Sequence, residues 1–188
     1  SKPESLKDLP ASKVQNLTEI KAQNKDRLST GLSELDRTLG GGLVDGSVVL
    51  IGGDPGIGKS TLILQALAKL NSDNTTLYIS GEESAKQVSE RAIRLGIKED
   101  ILFIGETHLE KIIKLSKDIK PKVIVIDSIQ TMVTDLSASA PGSVTQVRDC
   151  AAQLTQFAKQ TNTILLMIGH VTKGGALAGP RILEHMVD

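Results

Sequence analysis

The sequence predicts an α/β domain with a mainly parallel central sheet covered by helices on both faces. Three observations predict it. Short apolar runs alternate with stretches of helical periodicity from Val48 onward, the order that builds parallel strands joined by helical crossovers. Two of the runs, Val123–Ile126 and Ile164–Ile168, are apolar at every position, as central strands buried on both sides must be. A glycine-rich loop, Gly53-Asp54-Pro55-Gly56-Ile57-Gly58-Lys59-Ser60-Thr61, stands between the first strand and the first helix.

Residues 1–28 read as an N-terminal arm or linker. They are mostly polar and charged, with Pro3 and Pro10, and their few apolar side chains would dock on the domain at one or two points. Residues 29–188 read as the domain. Gly40-Gly41-Gly42 marks a tight turn, and Val48-Val-Leu-Ile51 is rich in β-branched residues that suit a buried strand. Leu62, Ile63, Ala66, Leu67 and Leu70 then recur at helical spacing. A strand follows at Leu77–Ser80, a helix through Ser84–Leu95, a strand at Ile101–Ile104 and a helix through Leu109–Ile119. After the strand Val123–Ile126 come a loop, a helix near Val144–Lys159 and the strand Ile164–Ile168. Leu183, Met186 and Val187 begin another apolar stretch just before Asp188, so the domain is expected to continue in a longer protein.

Composition narrows the function. Lysine and arginine number 22 and aspartate and glutamate 22, so bulk charge does not draw the chain to nucleic acid, although a local basic patch can. The aromatic residues are Tyr78, Phe103 and Phe157, each inside an apolar element, which excludes a platform of stacked aromatics for single strands. Cys150 is the single cysteine. It rules out an internal disulfide and a cysteine-based zinc site within this chain, and its place in a helical apolar stripe points to a buried structural thiol. No apolar run reaches membrane-spanning length and no signal peptide opens the chain, so a soluble, cytoplasmic protein without a membrane partner is expected.

The glycine-rich loop fills every position of a phosphate-binding loop, in the strand–turn–helix setting the motif requires. Its glycines allow the backbone N–H groups to wrap a phosphate, and the helix N-terminus adds partial positive charge there. Lys59 would reach the β- and γ-phosphates, and Ser60 would offer its hydroxyl to Mg²⁺. The strand ending in Asp127-Ser128 supplies the expected acid, which would hold Mg²⁺ directly or through water. Hydrolysis also needs a group to orient and deprotonate water. Glu82 is the first candidate and Glu83 the second, at a strand end where an α/β sheet presents ligand-facing residues; alternatively both acids charge the first turn of the next helix. The strand Ile164–Ile168 runs into Gly169-His170, where His170 can sense the γ-phosphate. His108 and His185 are given no role. Two Gly/Ser-rich loops, Asp135–Ser143 and Thr172–Arg181, leave the same edge. With Arg148, Lys173 and Arg181 they either grip a polymer by its phosphates or are ordinary connectors.

These residues together resemble the RecA-like ATPases, and within them the bacterial RadA (Sms) DNA-repair family. The resemblance runs from Arg27-Leu-Ser-Thr-Gly-Leu-Ser-Glu-Leu-Asp36 and Leu39-Gly-Gly-Gly-Leu43 through the phosphate loop to Ile79-Ser-Gly-Glu-Glu-Ser84. Its specific part is Asp127-Ser-Ile-Gln-Thr131, Ala140-Pro-Gly-Ser-Val-Thr-Gln-Val-Arg148, Gly169-His-Val-Thr-Lys173 and the run from Ala178 to Asp188. It implies a RecA-like P-loop ATPase working as a homo-hexameric ring motor. Such a motor uses ATP, ADP and Mg²⁺, moves on single-stranded DNA, and promotes branch migration on recombination intermediates, with the RecA recombinase among its partners. By position, Lys59, Ser60 and Thr61 bind phosphate and Mg²⁺, Asp127 is the Mg²⁺-side acid, Glu82 activates water, and His170 couples the γ-phosphate to the loop after it. Arg91 stands where an adenine-stacking side chain sits, and the two loops line the DNA channel.

The chain departs from that family in three places. The four-cysteine zinc finger is missing, so zinc is expected only in an N-terminal finger beyond this chain. A Lys-Asn-Arg-Phe-Gly motif and a Lon-protease-like domain are also missing, and Gly174 stands where an acidic residue is expected. Two other readings compete: a KaiC-like signalling ATPase whose ring works without DNA, and a binding module in which ATP only gates DNA affinity.

Overall fold

A computed structural model of the chain describes residues 14–18, 27–29, 36, 41–52, 57–71 and 74–169, without the side chains of residues 57–59. In the order of the chain, the elements are β1 (Val48–Ile51), α1 (Ile57–Leu70), β2 (Thr76–Ser80), α2 (Ala85–Arg94), β3 (Leu102–Gly105), α3 (Leu109–Ile119), β4 (Val123–Asp127), a 3₁₀ turn (Ile129–Thr131), α4 (Val144–Thr161) and β5 (Ile164–Ile168). All five strands are parallel, in the order β1-β5-β4-β2-β3. This is the α/β architecture that the alternating pattern predicts.

Alternation along each strand sorts the core into two layers. Val48, Leu50, Leu77, Ile79, Ile124, Ile126, Leu165 and Met167 pack with α3 and α4 on one face. Val49, Tyr78, Val123, Val125, Ile164, Leu166 and Ile168 pack with α1 and α2 on the other. The steps β1→β2→β3 move one way along the sheet beneath α1 and α2, and β3→β4→β5 return beneath α3 and α4. A constant crossover hand requires that arrangement. Strands β2 and β4 send their connections to opposite faces, and such a reversal opens the crevice where α/β sheets bind ligands.

Element ends follow local chemistry. Helix α2 begins one residue after Ser84, which caps it: the Ser84 hydroxyl accepts from the Gln87 N–H while the Gln87 side chain accepts from the Ser84 N–H, a full capping box. Helix α4 runs two residues past the expected Lys159 and stops at Asn162, which takes a left-handed conformation (φ 54°). The strand expected at Ile101–Ile104 lies one residue later, paired with β2 from Leu77↔Leu102 to Ser80↔Gly105. The loop expected after β4 opens with the 3₁₀ turn, which buries Ile129 and Met132 against the α4 side of the core.

Near the expected arm boundary, Leu28 and Leu43 exchange backbone hydrogen bonds of 2.6 and 2.7 Å. Gly42 has φ +128°, and a Cβ there would lie 2.6 Å from the Leu28 carbonyl oxygen, so only glycine lets the two segments meet. Val14 and Leu17 are exposed. Cys150 is fully buried. Among the described residues, no helix is long and apolar enough to cross a membrane.

Candidate functional site

Strand register brings the ends of the strands to one edge. Ile51 pairs with Ile168, Ile168 with Asp127, Asp127 with Ser80, and Ser80 with Gly105. All five strands therefore end on one rung, and each following loop leaves from the same side of the sheet. The chain just after β5 is tied to the end of β1 by a 3.0 Å bond from the Gly169 N–H to the Ile51 carbonyl. The chain just after β2 is tied to β4 by another 3.0 Å bond, from the Gly81 N–H to the Asp127 carbonyl.

Helix α1 opens inside the phosphate loop, and its first turn contains no acidic side chain. Among the described residues, its N-terminal N–H groups thus meet no acid of their own first turn and are left for a ligand. The Ser60 hydroxyl, in that first turn, donates to Asp127 Oδ2 at 3.2 Å across 67 residues of sequence. The Tyr78 hydroxyl, from β2, donates to the same oxygen. Asp127 is 6% exposed, so these hydrogen bonds replace the water its carboxylate has lost.

On the neighbouring strand the Ser80 hydroxyl accepts from the Glu82 N–H at 3.3 Å and the Glu83 N–H at 3.0 Å, which turns the chain sharply after β2. Gly81 permits the turn: a Cβ there would lie 2.7 Å from Thr131 Cβ. Glu82 is exposed at the crevice edge. Glu83, the second candidate base, forms an ion pair with Arg91. Both acids precede the Ser84 cap, so neither lies in the first turn of α2.

Arg91 leaves only 13% of its side chain exposed. Burial works against its charge, but the hydrogen bond and the charge of Glu83 outweigh that and raise its pKa. Its Nη1 has no hydrogen-bond partner among the described residues.

The Asp135–Ser143 segment is held from both ends. Thr134 Oγ1 and the Asp135 N–H donate to Glu110 Oε1 at 2.6 and 3.0 Å, and Ser143 caps α4 by accepting from the Gln146 N–H at 3.3 Å. For Glu110, burial is opposed by the bond from Thr134 and the neighbouring N–H groups, which leave its carboxyl below the usual range. Arg148 is exposed on α4.

Of the predicted residues, the structure joins Ser60 to Asp127 by a hydrogen bond, places Glu82 two residues past the end of the adjacent strand β2, pairs Arg91 with Glu83, and sets Thr61 next to Ser60 in α1. The Lys59 backbone lies in α1; its side chain, Gly53, Asp54, Pro55, Gly56, His170, Lys173, Gly174 and Arg181 lie outside the described residues, as does the side chain of Ile57, while Gly58 is described as backbone in α1. Tyr78 was legible only as an aromatic in an apolar strand. Its signal is a phenol where phenylalanine would pack equally well without an acceptor to satisfy.

The Ser60 hydroxyl and Asp127 carboxylate are hard oxygen donors beside a helix N-terminus. They fit Mg²⁺, which takes few protein ligands and completes its shell with water and substrate phosphates.

A protein-family profile described as an AAA domain matches residues 15–176. The chain is 57% identical over 176 residues to the DNA repair protein RadA of Pseudomonas aeruginosa, covering 93% of this chain and 39% of that protein. It is 53% identical over 178 residues to the DNA repair protein RadA of Escherichia coli, covering 94% and 39%. With the DNA repair protein RadA of Streptococcus pneumoniae it shares 49% over 178 residues, covering 94% and 42%. The chain therefore spans about two fifths of the length of these relatives.

Proposed function

The chain belongs to the RadA family of bacterial DNA-repair proteins and has the RecA-like P-loop ATPase fold, and on that premise we propose that it is the ATPase core of a DNA motor. It hydrolyses ATP, moves on single-stranded DNA and promotes branch migration in recombinational repair. It works as a homo-hexameric ring, with recombination intermediates and the RecA recombinase as partners.

The observation that carries this reading is the Ser60–Asp127 bond at the N-terminus of α1, with Glu82 two residues past the end of the adjacent strand. Ser60 gives its proton to Asp127 and keeps its lone pairs for the cation. Bound Mg²⁺ would neutralise charge developing on the β- and γ-phosphates. Lys59 and the first N–H groups of α1 hold those phosphates, and Glu82, exposed to entering water, orients the nucleophile and takes its proton. Arg91 lies beside this site, where it can meet the base of the nucleotide. His170 senses the γ-phosphate and passes the signal to the loop carrying Lys173 and Arg181. That loop and Asp135–Ser143, with Arg148, contact DNA phosphates.

The test is the ATPase rate of the intact protein with and without single-stranded DNA, beside a strand-displacement assay. We expect DNA to raise the rate, and Lys59→Ala to lower it by at least roughly a hundredfold, the loss typical of one preorganised transition-state donor. A rate indifferent to DNA would favour the KaiC-like reading. Stimulation by DNA without strand displacement would favour a gate over a motor.

A further inference from the structure

We propose that Tyr78 is a positioning residue for the metal side of this site, its hydroxyl holding the Asp127 carboxylate where Ser60 reaches the same oxygen. The inference rests on the reading of Ser60 and Asp127 as the Mg²⁺ end of a nucleotide site.

Tyr78 sits in the middle of β2 and is 1% exposed. Its strand partner on β4 is Val125, and Asp127 follows two residues later on the same face, so the ring lies beside the carboxylate on the α1 side. Phe103 on β3 stacks against the ring with centroids 6.2 Å apart and planes 17° from parallel. The ring is therefore wedged between the neighbouring strand and the acid.

A phenol at so buried a position costs more than a phenyl ring unless its hydroxyl finds an acceptor. The acceptor here is Asp127 Oδ2. A phenol keeps its proton through neutral pH, so it serves as a donor here. The two donors on Oδ2 then divide the work. Ser60, at 3.2 Å, is long for an O–H···O bond and has a second duty toward the cation. Tyr78 is the closer donor, and its strand does not belong to the phosphate loop. It fixes the carboxylate plane before nucleotide and metal arrive, so cation binding does not have to order Asp127.

The test is the affinity of the intact protein for a fluorescent ADP analogue, measured in EDTA and across a MgCl₂ titration. In the wild-type protein Mg²⁺ tightens binding. Tyr78→Phe, which keeps the ring and the stack on Phe103, leaves the EDTA affinity unchanged. It weakens the Mg²⁺-dependent gain by roughly tenfold, the low end for a hydrogen bond to a charged group. Phe103→Leu disturbs the packing without touching the hydroxyl and keeps the full gain. If Y78F retains the wild-type response to Mg²⁺, or F103L loses it equally, the hydroxyl has no positioning role and Tyr78 is a packing residue. If the wild-type protein does not bind the nucleotide at all, the nucleotide reading falls and takes this inference with it.

Discussion

At 6% exposed, the Asp127 carboxylate takes from Tyr78 and Ser60 the hydrogen bonds that water would otherwise supply. The place of Asp127 at a strand end was legible in the sequence, because an apolar run closes on it. Tyr78 was not legible, because its partner lies 49 residues away and periodicity reports burial without reporting acceptors. Cys150 shows the opposite case: its apolar stripe foretold a buried thiol, and it is 0% exposed. Burial, then the charges of Glu110 and Asp149, push its ionisation from 9.0 up to about 12. Folding thus favours the neutral thiol. Its contribution is fully present below pH 9.0 and is lost as pH rises toward about 12. Iodoacetamide at pH 8.5 should label Cys150 slowly in the native protein and readily in urea. Equal labelling rates would show that the thiol is open.

Helix α2 shows what a few local contacts do for an element. Only Val88 in it is fully buried, so packing holds it less firmly than the central helices, and its cap carries more of the load. The Ser84 capping box and the Glu83–Arg91 pair close the helix onto the turn that presents Glu82. Ser84→Ala should destabilise the protein by about 1 kcal/mol, the usual loss for an N-cap, read as a lower urea midpoint with an unchanged slope. No shift in midpoint would mean that α2 is held by its packing alone. The helix was legible from its apolar spacing. The Glu83–Arg91 pair was not, because it joins the loop before the helix to a residue in its last turn, eight positions away, and side-chain reach decides such pairs.

In the whole molecule, the common rung through Ile51, Ile168, Asp127, Ser80 and Gly105 gathers the loops along one edge. Arg148, exposed on the helix that follows one of those loops, bears on how that edge meets a polymer. Arg148→Ala should weaken single-stranded DNA binding and lower the salt slope of the affinity by about 1, as loss of one phosphate contact does, while nucleotide affinity stays constant. An unchanged DNA affinity in a salt titration would remove Arg148 from the interface. The sequence by itself determined the α/β class and the places of the strands and helices, to within a residue or two except at the start of α1, which opens at Ile57, five residues before the apolar spacing begins at Leu62. It also placed the glycine-rich motif and the acids Glu82 and Asp127 next to strand ends. Each of these is written in local spacing, in runs of apolar residues and in the chemistry of short motifs. Only the tertiary structure decided the strand order, the shared rung, the pairing of Glu83 with Arg91, and the meeting of Ser60 and Tyr78 on one oxygen of Asp127. Those depend on which distant strands become neighbours and in what register, and hydrogen bonds across the sheet set that once the chain has folded.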